Sequence, residues 1–199
     1  MNLIEKIKSQ AKSNPKKILL VEGDDERIIE AAKIILKEKI AKIVILEKNK
    51  KINLNFPDVE IINIKNYDKK TLANKLYELR KHKGMTLQEA EKLIENENYF
   101  ATMLLKENYV DGLVSGAIHT TSETIRPALQ IIKTKENVTT ASSYFLMSTP
   151  EKDYFFADCA FVKNPTADEL ATIAISTAES IGEYGVKPKI AMLSFSTKG

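Results

Sequence analysis

The feature that most constrains this chain is an alternation of short apolar runs with amphipathic segments. KKILLVEG predicts a buried strand over residues 17–22, AKIVILE predicts one over residues 41–47, and EIINI predicts one over residues 60–64. The apolar residues between the first two runs recur with the period of an α-helix: Ile28, Ile29, Ala32, Ile35 and Leu36. This alternation predicts an α/β fold, with a mostly parallel sheet flanked by helices in three layers.

The segments around these runs extend the pattern. The spacing of apolar residues predicts a helix over residues 2–13 and another over residues 69–83, which Gly84 ends. TLQE at residues 86–89 is typical of a capping box, and a buried helix is expected near residues 99–107. DGLVSG, residues 111–116, predicts a further strand.

The last third of the chain has a different pattern. The β-rich runs 138–147 and 153–162 predict an antiparallel hairpin added to the parallel sheet. TADE at residues 166–169 predicts a second capping box, which starts a helix that runs to about Ile181. KIAMLSFS predicts a last buried strand over residues 189–196.

Composition excludes several classes of protein. The chain is 43% hydrophobic and 29% charged, which is an ordinary globular balance, and its net charge of +3 is too small to indicate a nucleic-acid partner. No apolar run reaches the roughly 18 residues that a transmembrane helix requires, and the N-terminus lacks the pattern of a secretory signal. The single cysteine, Cys159, excludes an internal disulfide and a cysteine-based zinc site. We therefore expect a cytoplasmic protein with no nucleic-acid and no membrane partner.

Arginine is the rarest cation in the chain. Of 30 basic side chains only Arg27, Arg80 and Arg126 are arginine, and the rest are lysine. Arginine is the better residue where two oxygens of one phosphate or carboxylate must be gripped together. The three positions are therefore candidates for anion binding, although so small a set also arises by chance.

Arg126 lies in the segment with the most polar candidates, SGAIHTTSETIRP, residues 115–127. If Thr124 is the N-cap of the next helix, Pro127 falls at the third helical position and Arg126 lies in the first turn. A cation there opposes the helix dipole, and an anionic ligand would offset that conflict. We therefore favour a phosphate-binding role for Arg126 over the alternative, a guanidinium that pairs with an acidic surface residue.

The same segment offers neutral groups to a ligand. Gly116 allows close approach of the backbone, and hydroxyl groups come from Ser115, Thr120, Thr121 and Ser122. Because ligands of open α/β sheets bind beyond the carboxyl ends of strands, this loop is a candidate site. The loops at residues 22–25 and 194–199 occupy equivalent positions.

The remaining candidates are weaker on residue type and spacing alone. LRKHKG, residues 79–84, ends a helix, where cations are favoured without any ligand. The acidic cluster Asp24, Asp25 and Glu26 is a candidate metal site, but acidic residues are common in a first helical turn. Cys159 is better explained as a small buried residue than as a nucleophile, and His119 has no visible Ser-His-Asp context.

These segments together resemble the phosphate acetyl/butyryltransferase family. The matching pieces cover nearly the whole chain in the family's order: VEGDDERIIEAA, YELRKHKGMTLQEA, YFATMLLKENYVDGLVSGAIHTTSETIRPALQIIKT and KIAMLSFSTKG. LRKHKG resembles the acetyl-transferring branch. Val21 departs from the pattern, since proline is expected before Glu22, and family members continue past STKG.

The resemblance implies a fold and a reaction. The fold is isocitrate-dehydrogenase-like, with two α/β domains that flank a cleft and form a homodimer. Residues 1–137 would form the first domain, incomplete without a C-terminal return, and residues 138–199 would begin the second. The reaction is acetyl-CoA + phosphate = acetyl phosphate + CoA, with acetate kinase as the pathway partner.

The resemblance also assigns roles to residues. Arg126 would hold phosphate or acetyl phosphate as a catalytic residue, and the substrate-binding positions would be Arg80, for a phosphate of CoA, with Ser115, Gly116, Thr121 and Ser122. Arg27 would be structural. No metal and no cofactor is implied, because CoA and acetyl-CoA are substrates. The general base lies in a C-terminal segment of the family, so we expect this chain to lack it and, alone, to lack activity.

Three alternatives remain open at this point. A phosphate butyryltransferase would need only a roomier apolar pocket, worth about 1–3 kcal/mol per methylene. A non-catalytic fragment would keep the binding surface alone. An isocitrate-dehydrogenase-like enzyme would need a set of acidic metal ligands, which the sequence does not show.

Overall fold

The computed structural model describes residues 3–136 and 138–193 as an α/β protein. The helices and strands in chain order are α1 Leu3–Ser13, β1 Lys17–Leu20, α2 Glu26–Glu38, β2 Lys42–Glu47, β3 Val59–Asn63, α3 Lys69–Arg80, α4 Leu87–Ile94, α5 Glu97–Lys106, β4 Gly112–Val114, α6 Thr121–Pro127, β5 Tyr144–Ser148, β6 Asp153–Ala157 and α7 Ala167–Glu183. Short 3₁₀ turns cover Ile64–Asn66 and Lys81–Lys83, and a π-helical turn covers Ala128–Ile132.

The chain divides into two compact units. We call Lys8–Lys133 the sheet unit, and Thr134–Gly199 together with Met1–Ile7 the hairpin unit. The domain bounds expected above, 1–137 and 138–199, stay a prediction.

The sheet unit is built on four parallel strands in the order β3-β2-β1-β4. The register places Leu19 of β1 beside Val44 of β2 on one side and Leu113 of β4 on the other. Strands covered on both faces are continuous apolar runs, which explains why ILLV and IVIL carry no alternation. The predicted fold class, a parallel sheet flanked by helices, is confirmed.

Alternate residues of these strands pack into two separate cores. On one face, Leu19, Val44 and Leu46 pack with residues of α3, α4 and α5, including Leu76 and Phe100. On the opposite face the packing is between β1, β2 and α2, through Leu20, Ile43, Ile45, Ala32 and Leu36. The three layers therefore follow directly from the period-two alternation of strand side chains.

The helix boundaries follow from capping residues. Asp25 caps α2, and the predicted capping boxes at Thr86–Glu89 and Thr166–Glu169 are both present. Gly84, at a φ of 85°, ends the 3₁₀ turn that follows α3, so the predicted helix over residues 69–83 is confirmed with a tighter last turn. None of the helices in the described ranges is long and apolar enough to cross a membrane.

The hairpin unit contains β5 and β6, which pair antiparallel as predicted, and helix α7. The Tyr144 and Tyr184 hydroxyl oxygens lie 3.0 Å apart, and the rings of Phe155 and Tyr184 stack. The expectation that this hairpin joins the parallel sheet was wrong, because β5 and β6 form a two-stranded sheet of their own. The two strands of a hairpin form their hydrogen bonds with each other. The hairpin sequence alone therefore does not indicate which larger sheet, if any, the hairpin joins.

The predicted strand over residues 189–196 does not form in its described part. Residues 189–193 have no strand assignment, and Ile190, Met192 and Leu193 are exposed. An apolar run becomes a strand only when a neighbour completes its hydrogen-bonding ladder, and none of the described strands pairs with this one. Residues 194–196 of that prediction, and the loop 194–199, lie outside the described residues.

Candidate functional site

Two connections meet at the carboxyl edge of the parallel sheet. Residues 21–25 follow β1, residues 115–120 follow β4, and the two strands are direct neighbours. The backbone is tightly packed here, since a Cβ on Gly23 would lie 2.2 Å from the carbonyl oxygen of Leu46. The connection after β1 is therefore packed closely against the end of β2.

The loop after β4 wraps around the carboxylate of Glu22. This side chain is 1% exposed and accepts hydrogen bonds from the backbone N–H groups of Gly116 at 3.1 Å, Ala117 at 2.8 Å, and Ile118 and His119 at 3.0 Å. The Nδ1 atom of His119 lies 2.8 Å from the same carboxylate. Gly116 has a φ of 110°, a conformation that L side chains rarely adopt.

These contacts set the charge of Glu22. Burial raises the pKa of this carboxyl, but the backbone hydrogen bonds from Ile118, Ala117 and His119 outweigh burial and lower the pKa to about 2. The group is therefore an anion at neutral pH. It accepts from the Gly116 N–H, and the predicted substrate-binding role of Gly116 stays a prediction.

A polar network continues from His119. Its Nε2 atom lies 3.5 Å from Oε1 of Glu97, and Nζ of Lys48 lies 3.0 Å from the same oxygen. Glu97 is 9% exposed at the start of α5. His119 therefore lies between two carboxylates, and its ring has a structural explanation that needs no Ser-His-Asp set.

Ser115 at the start of the loop contacts α5. Its hydroxyl donates to Oδ1 of Asn98 at 2.7 Å, and Asn98 is 2% exposed. Among the described residues, Nδ2 of Asn98 and Oγ1 of Thr124 are buried polar atoms without a hydrogen-bond partner. Buried polar groups without a hydrogen-bond partner are uncommon in folded proteins. Asn98 lies beside Ser115 and Thr124 lies beside Gly116, so these two groups mark the region as a candidate site.

Helix α6 begins earlier than the sequence suggested. Thr120 is its N-cap and forms a capping box with Glu123, so the helix covers Thr121–Pro127. The assignment of Thr124 as N-cap, and of Arg126 to the first turn, was wrong. Thr-x-x-Glu satisfies two backbone donors reciprocally, which favours the earlier start. The dipole argument for Arg126 therefore fails, and its position must be judged from its contacts.

Arg126 extends into solvent from α6. Its Nη2 atom donates to Oγ of Ser122 at 3.3 Å, so these two predicted site residues lie together, next to the exposed Thr121. Arg80, at the end of α3, is half-buried; its Nη1 atom donates to the carbonyl of Gln130 at 3.4 Å. Nε of Arg80 is buried without a partner in the described part of the chain.

Tyr99 and Arg80 share a hydrogen-bond partner, Gln130. The Tyr99 hydroxyl donates to Oε1 of Gln130 at 2.8 Å. Burial raises the pKa of Tyr99, and the charges of Arg126 and Arg80 both oppose that rise. Arg80 thus contacts the turn that directly follows α6, the helix on which Arg126 lies, so two of the three arginines that the sequence singled out belong to neighbouring elements.

The third arginine lies in the loop contacts instead. Arg27 forms a bidentate pair with Asp25, at 3.0 Å and 2.7 Å, and its Nη2 donates to the carbonyl of Ala117 at 2.8 Å. Asp24 accepts from the backbone N–H groups of Asn49 and Lys50. These acidic side chains thus have structural partners, and no group of three candidate metal ligands occurs within residues 3–136 and 138–193.

A second polar cluster lies in the hairpin unit. Asp158 accepts from the backbone N–H groups of Ser143, Phe161 and Val162 and from the Ser143 hydroxyl. Burial raises the pKa of this carboxyl, but these hydrogen bonds lower it to about 2. The thiol of Cys159 lies 3.1 Å from Oγ of Ser143 and is half-buried, so it is less enclosed than the sequence suggested.

Comparison with known proteins identifies the family. The family model described as "Phosphate acetyl/butaryl transferase" matches residues 2–199. The chain belongs to this family.

Individual relatives agree with that assignment. The chain is 48% identical to a phosphate acetyltransferase of Clostridium acetobutylicum and 40% identical to one of Bacillus subtilis; in each case 100% of this chain aligns with 64% of the relative. A phosphotransacetylase structure from Streptococcus pyogenes matches with a TM-score of 0.87 at 42% identity, over 99% of this chain and 63% of that one. The EutD phosphotransacetylase structure from Staphylococcus aureus matches with a TM-score of 0.85 at 40% identity, over 99% of this chain and 62% of that one. The chain thus spans somewhat less than two thirds of the length of these relatives.

In this family member, the sequence did not reveal the buried polar residues that contact the loop of the candidate site. Glu22 was assigned to a ligand-facing loop, and Asn98 and Glu97 were not singled out. The sequence did contain one signal for Glu22. It directly follows the buried run ILLV, and a charged residue at such a position is buried only when it has partners. The side-chain partner of Asn98, Ser115, lies 17 residues away, and no local pattern predicts such a contact.

Proposed function

We propose that this chain takes part in the reversible transfer of an acetyl group between CoA and inorganic phosphate. The observation that carries the proposal is that Arg80 contacts Gln130 in the turn directly after α6, the helix that carries Arg126 with Ser122. Two cations in one region suit a reaction in which both substrates are anions. The relatives named phosphate acetyltransferase, 40–48% identical over the chain, support the acetyl group as the one transferred.

In this proposal Arg126 binds inorganic phosphate or the phosphate of acetyl phosphate. Its guanidinium is exposed, it presents several donors in a planar fork, and Ser122 adds a hydroxyl 3.3 Å away. When the CoA sulfur attacks the acetyl carbonyl, a C–S bond forms and the C–O bond to phosphate breaks. Arg126 would stabilise the phosphate that leaves, while the thiol proton passes to a general base.

Arg80 would bind a phosphate of CoA. One guanidinium nitrogen is held by the carbonyl of Gln130, and its buried Nε has no partner among the described residues. A half-buried arginine fixed by one contact keeps its remaining donors in a defined direction. Such a group favours a multiply charged ligand over a neutral one.

Ser115, Gly116 and Thr121 would complete the substrate-binding region. The hydroxyl of Ser115 already donates to Asn98, and the Gly116 N–H already donates to Glu22. We therefore propose that Ser115 and Gly116 shape the site, with Ser115 accepting from a substrate donor. No metal and no cofactor is required, because CoA and phosphate are both substrates.

Three further properties belong to this proposal: a cytoplasmic location, assembly as a homodimer, and acetate kinase as the pathway partner that uses acetyl phosphate. Each follows from the proposed reaction and the family resemblance.

The test is a thioester assay on the complete gene product, with CoA and either acetyl phosphate or butyryl phosphate. We expect acetyl-CoA formation to exceed butyryl-CoA formation in kcat/KM. A preference for the butyryl substrate would reassign the protein within its family. Absence of transfer with both substrates, in a folded sample, would refute the proposed function.

A further inference from the structure

The β1–α2 connection holds the β4–α6 loop at two points. The carboxylate of Glu22 binds the backbone N–H groups of Gly116 through His119, and Nη2 of Arg27 binds the carbonyl of Ala117 at 2.8 Å. Arg27 is itself fixed by its bidentate pair with Asp25. One segment, VEGDDER, thus engages both the donors and an acceptor of the loop.

The Glu22 carboxylate occupies the position in the loop where a bound anion would otherwise accept hydrogen bonds from the backbone N–H groups. Successive backbone N–H groups that converge form an anion-binding concavity, and charged hydrogen bonds are roughly twice as strong as neutral ones. The loop has no regular structure of its own, and its conformation requires a φ of 110° at Gly116. Without a negative charge at its centre, four converging N–H dipoles would repel one another, and the loop would open.

The loop connects residues proposed to bind substrate. Ser115 is its first residue, and α6, with Ser122 and Arg126, begins directly after it. A displacement of reacting groups by about 1 Å can reduce an enzymatic rate about a hundredfold. A shift of the loop would move Ser115 and the start of α6 together.

We propose that Glu22 is a positioning residue, an internal carboxylate that fixes the Ser115–Thr120 loop and thereby places Arg126 for the transfer reaction. This inference rests on the proposed function. Glu22 does not touch substrate, since its side chain is fully enclosed by the loop and His119. Its effect should therefore appear in phosphate use and leave CoA binding at Arg80 unaffected.

Glu47 provides a matched control. It ends the neighbouring strand β2 and also accepts a backbone N–H, from Ile52 at 2.8 Å, and a side-chain donor, from Asn63 at 2.7 Å. These partners carry none of the proposed substrate contacts. Glu47→Gln thus removes a comparable carboxylate from the same sheet edge without touching the β4–α6 loop.

The experiment compares Glu22→Gln with Glu47→Gln in the complete gene product by amide hydrogen exchange and steady-state kinetics. In Glu22→Gln we expect the amides of residues 116–119 to exchange at least tenfold faster. The KM for acetyl phosphate should rise, or kcat fall, about tenfold, while the KM for CoA changes less than twofold. Glu47→Gln should accelerate exchange near Ile52 and leave both KM values at the wild-type level.

A second variant protects the test against misfolding, because Glu22 is buried. The Arg27 side chain is 69% exposed, so Arg27→Gln should fold, and it should accelerate exchange at residues 116–119 about threefold. Wild-type exchange in this loop in every variant that folds would overturn the proposal. So would faster loop exchange with unchanged kinetics, or equal rises in both KM values.

Failure of the proposed function remains distinguishable from failure of this inference. If the wild-type protein transfers neither acyl group, the proposed reaction is wrong. The exchange rates of residues 116–119 would still show whether Glu22 fixes the loop.

Discussion

The sheet unit and the hairpin unit bury their apolar residues to very different extents. In the sheet unit, both faces of the sheet are covered and residues such as Leu76 and Phe100 are fully enclosed. Among the described residues of the hairpin unit, buried apolar side chains are limited to Leu3, Ile173 and Ile181. One face of its hairpin exposes a group of large apolar side chains: Phe145, Met147, Tyr154 and Phe156.

The difference shows what each architecture can enclose. Four parallel strands with helices on both faces bury a continuous core, because side chains of the central strands β1 and β2 pack against helices on both faces. Two strands and one helix cover only one face of a hairpin, which leaves alternate residues in solvent. Similar fractions of apolar residues therefore lead to different stability, and the unit with the closed core should dominate unfolding.

The largest expected effect tests this contrast with two phenylalanines. Phe100 is 0% exposed in the sheet unit, whereas Phe156 is 55% exposed in the hairpin unit. Phe100→Ala should lower the free energy of unfolding by about 3–5 kcal/mol. Phe156→Ala should change it by less than about 0.5 kcal/mol. Urea unfolding of the 199-residue chain measures both, and similar losses would show that the two units are equally closed.

The next effect concerns the acid response of the hairpin unit. The pKa of Asp158 is lowered to about 2 in the folded protein, below the usual value of about 3.9. The stabilisation by this carboxylate is therefore present above about pH 4 and is lost as the pH falls towards 2. Asp158→Asn should destabilise the unit at neutral pH by about 1.5–3 kcal/mol and flatten its loss of stability in acid.

Asp153 is the control for that experiment. It lies in the same hairpin and accepts one hydroxyl hydrogen bond, from Ser148 at 2.6 Å. Asp153→Asn should have a smaller effect at neutral pH and leave the acid response in place. Near-UV circular dichroism between pH 2 and 7 distinguishes the variants. Equal acid curves for Asp158→Asn and the wild type would contradict the assignment.

The parts of the fold that sequence predicted are those with local signals. The strand runs ILLV and IVIL, Asp25 as an N-cap, and the Thr86–Glu89 and Thr166–Glu169 boxes all report on neighbours within a few residues. The start of α6 differs from the prediction because the capping box of Thr120 and Glu123, and not the position of Pro127, determines where the helix begins. Which strand pairs with the hairpin or with residues 189–193 depends on residues far away in the sequence. No local pattern in a single sequence predicts such a pairing.

The candidate site shows the same division. Residue rarity singled out Arg80 and Arg126, and Arg80 contacts Gln130 in the turn that directly follows the helix of Arg126. The Glu22 carboxylate and the Asn98 amide are buried groups whose partners lie 94–97 and 17 residues away. The residues that we propose to bind substrate were therefore visible in residue types, whereas the contacts of Glu22 and Asn98 join distant parts of the sequence and leave no local pattern.

Arg126→Lys is the third prediction, and it examines the sheet unit at its surface instead of its core. The charge survives in lysine, but the planar fork does not. We expect kcat/KM for acetyl phosphate in the complete gene product to fall about ten- to a hundredfold, equivalent to about 1.4–2.8 kcal/mol. The melting temperature should stay near wild type, because Arg126 is exposed and its hydrogen bond to Ser122 is a surface contact.

Arg80→Lys is the paired variant. It should raise the KM for CoA more than the KM for acetyl phosphate, since Arg80 is assigned to the CoA phosphate. Steady-state kinetics with both substrates varied separates the two assignments. Wild-type kcat and KM values for Arg126→Lys would show that Arg126 is not an anion clamp.

The smallest expected effect compares the same motif in the two units. Thr86 in the sheet unit and Thr166 in the hairpin unit each cap a helix through a complete capping box with Glu89 or Glu169. Replacing either threonine with alanine removes the hydroxyl that accepts from the backbone N–H of Glu89 or Glu169, a cap worth about 1 kcal/mol. Helix α4 buries Ala90 and Ile94 in the closed core of the sheet unit. The longer helix α7 buries only Ile173 and Ile181 among its described residues. In hydrogen exchange of the 199-residue chain, Thr166→Ala should therefore accelerate the first turns of α7, while Thr86→Ala leaves α4 largely protected. Equal acceleration in both helices would mean that the caps, and not the closed core, determine local opening in this protein.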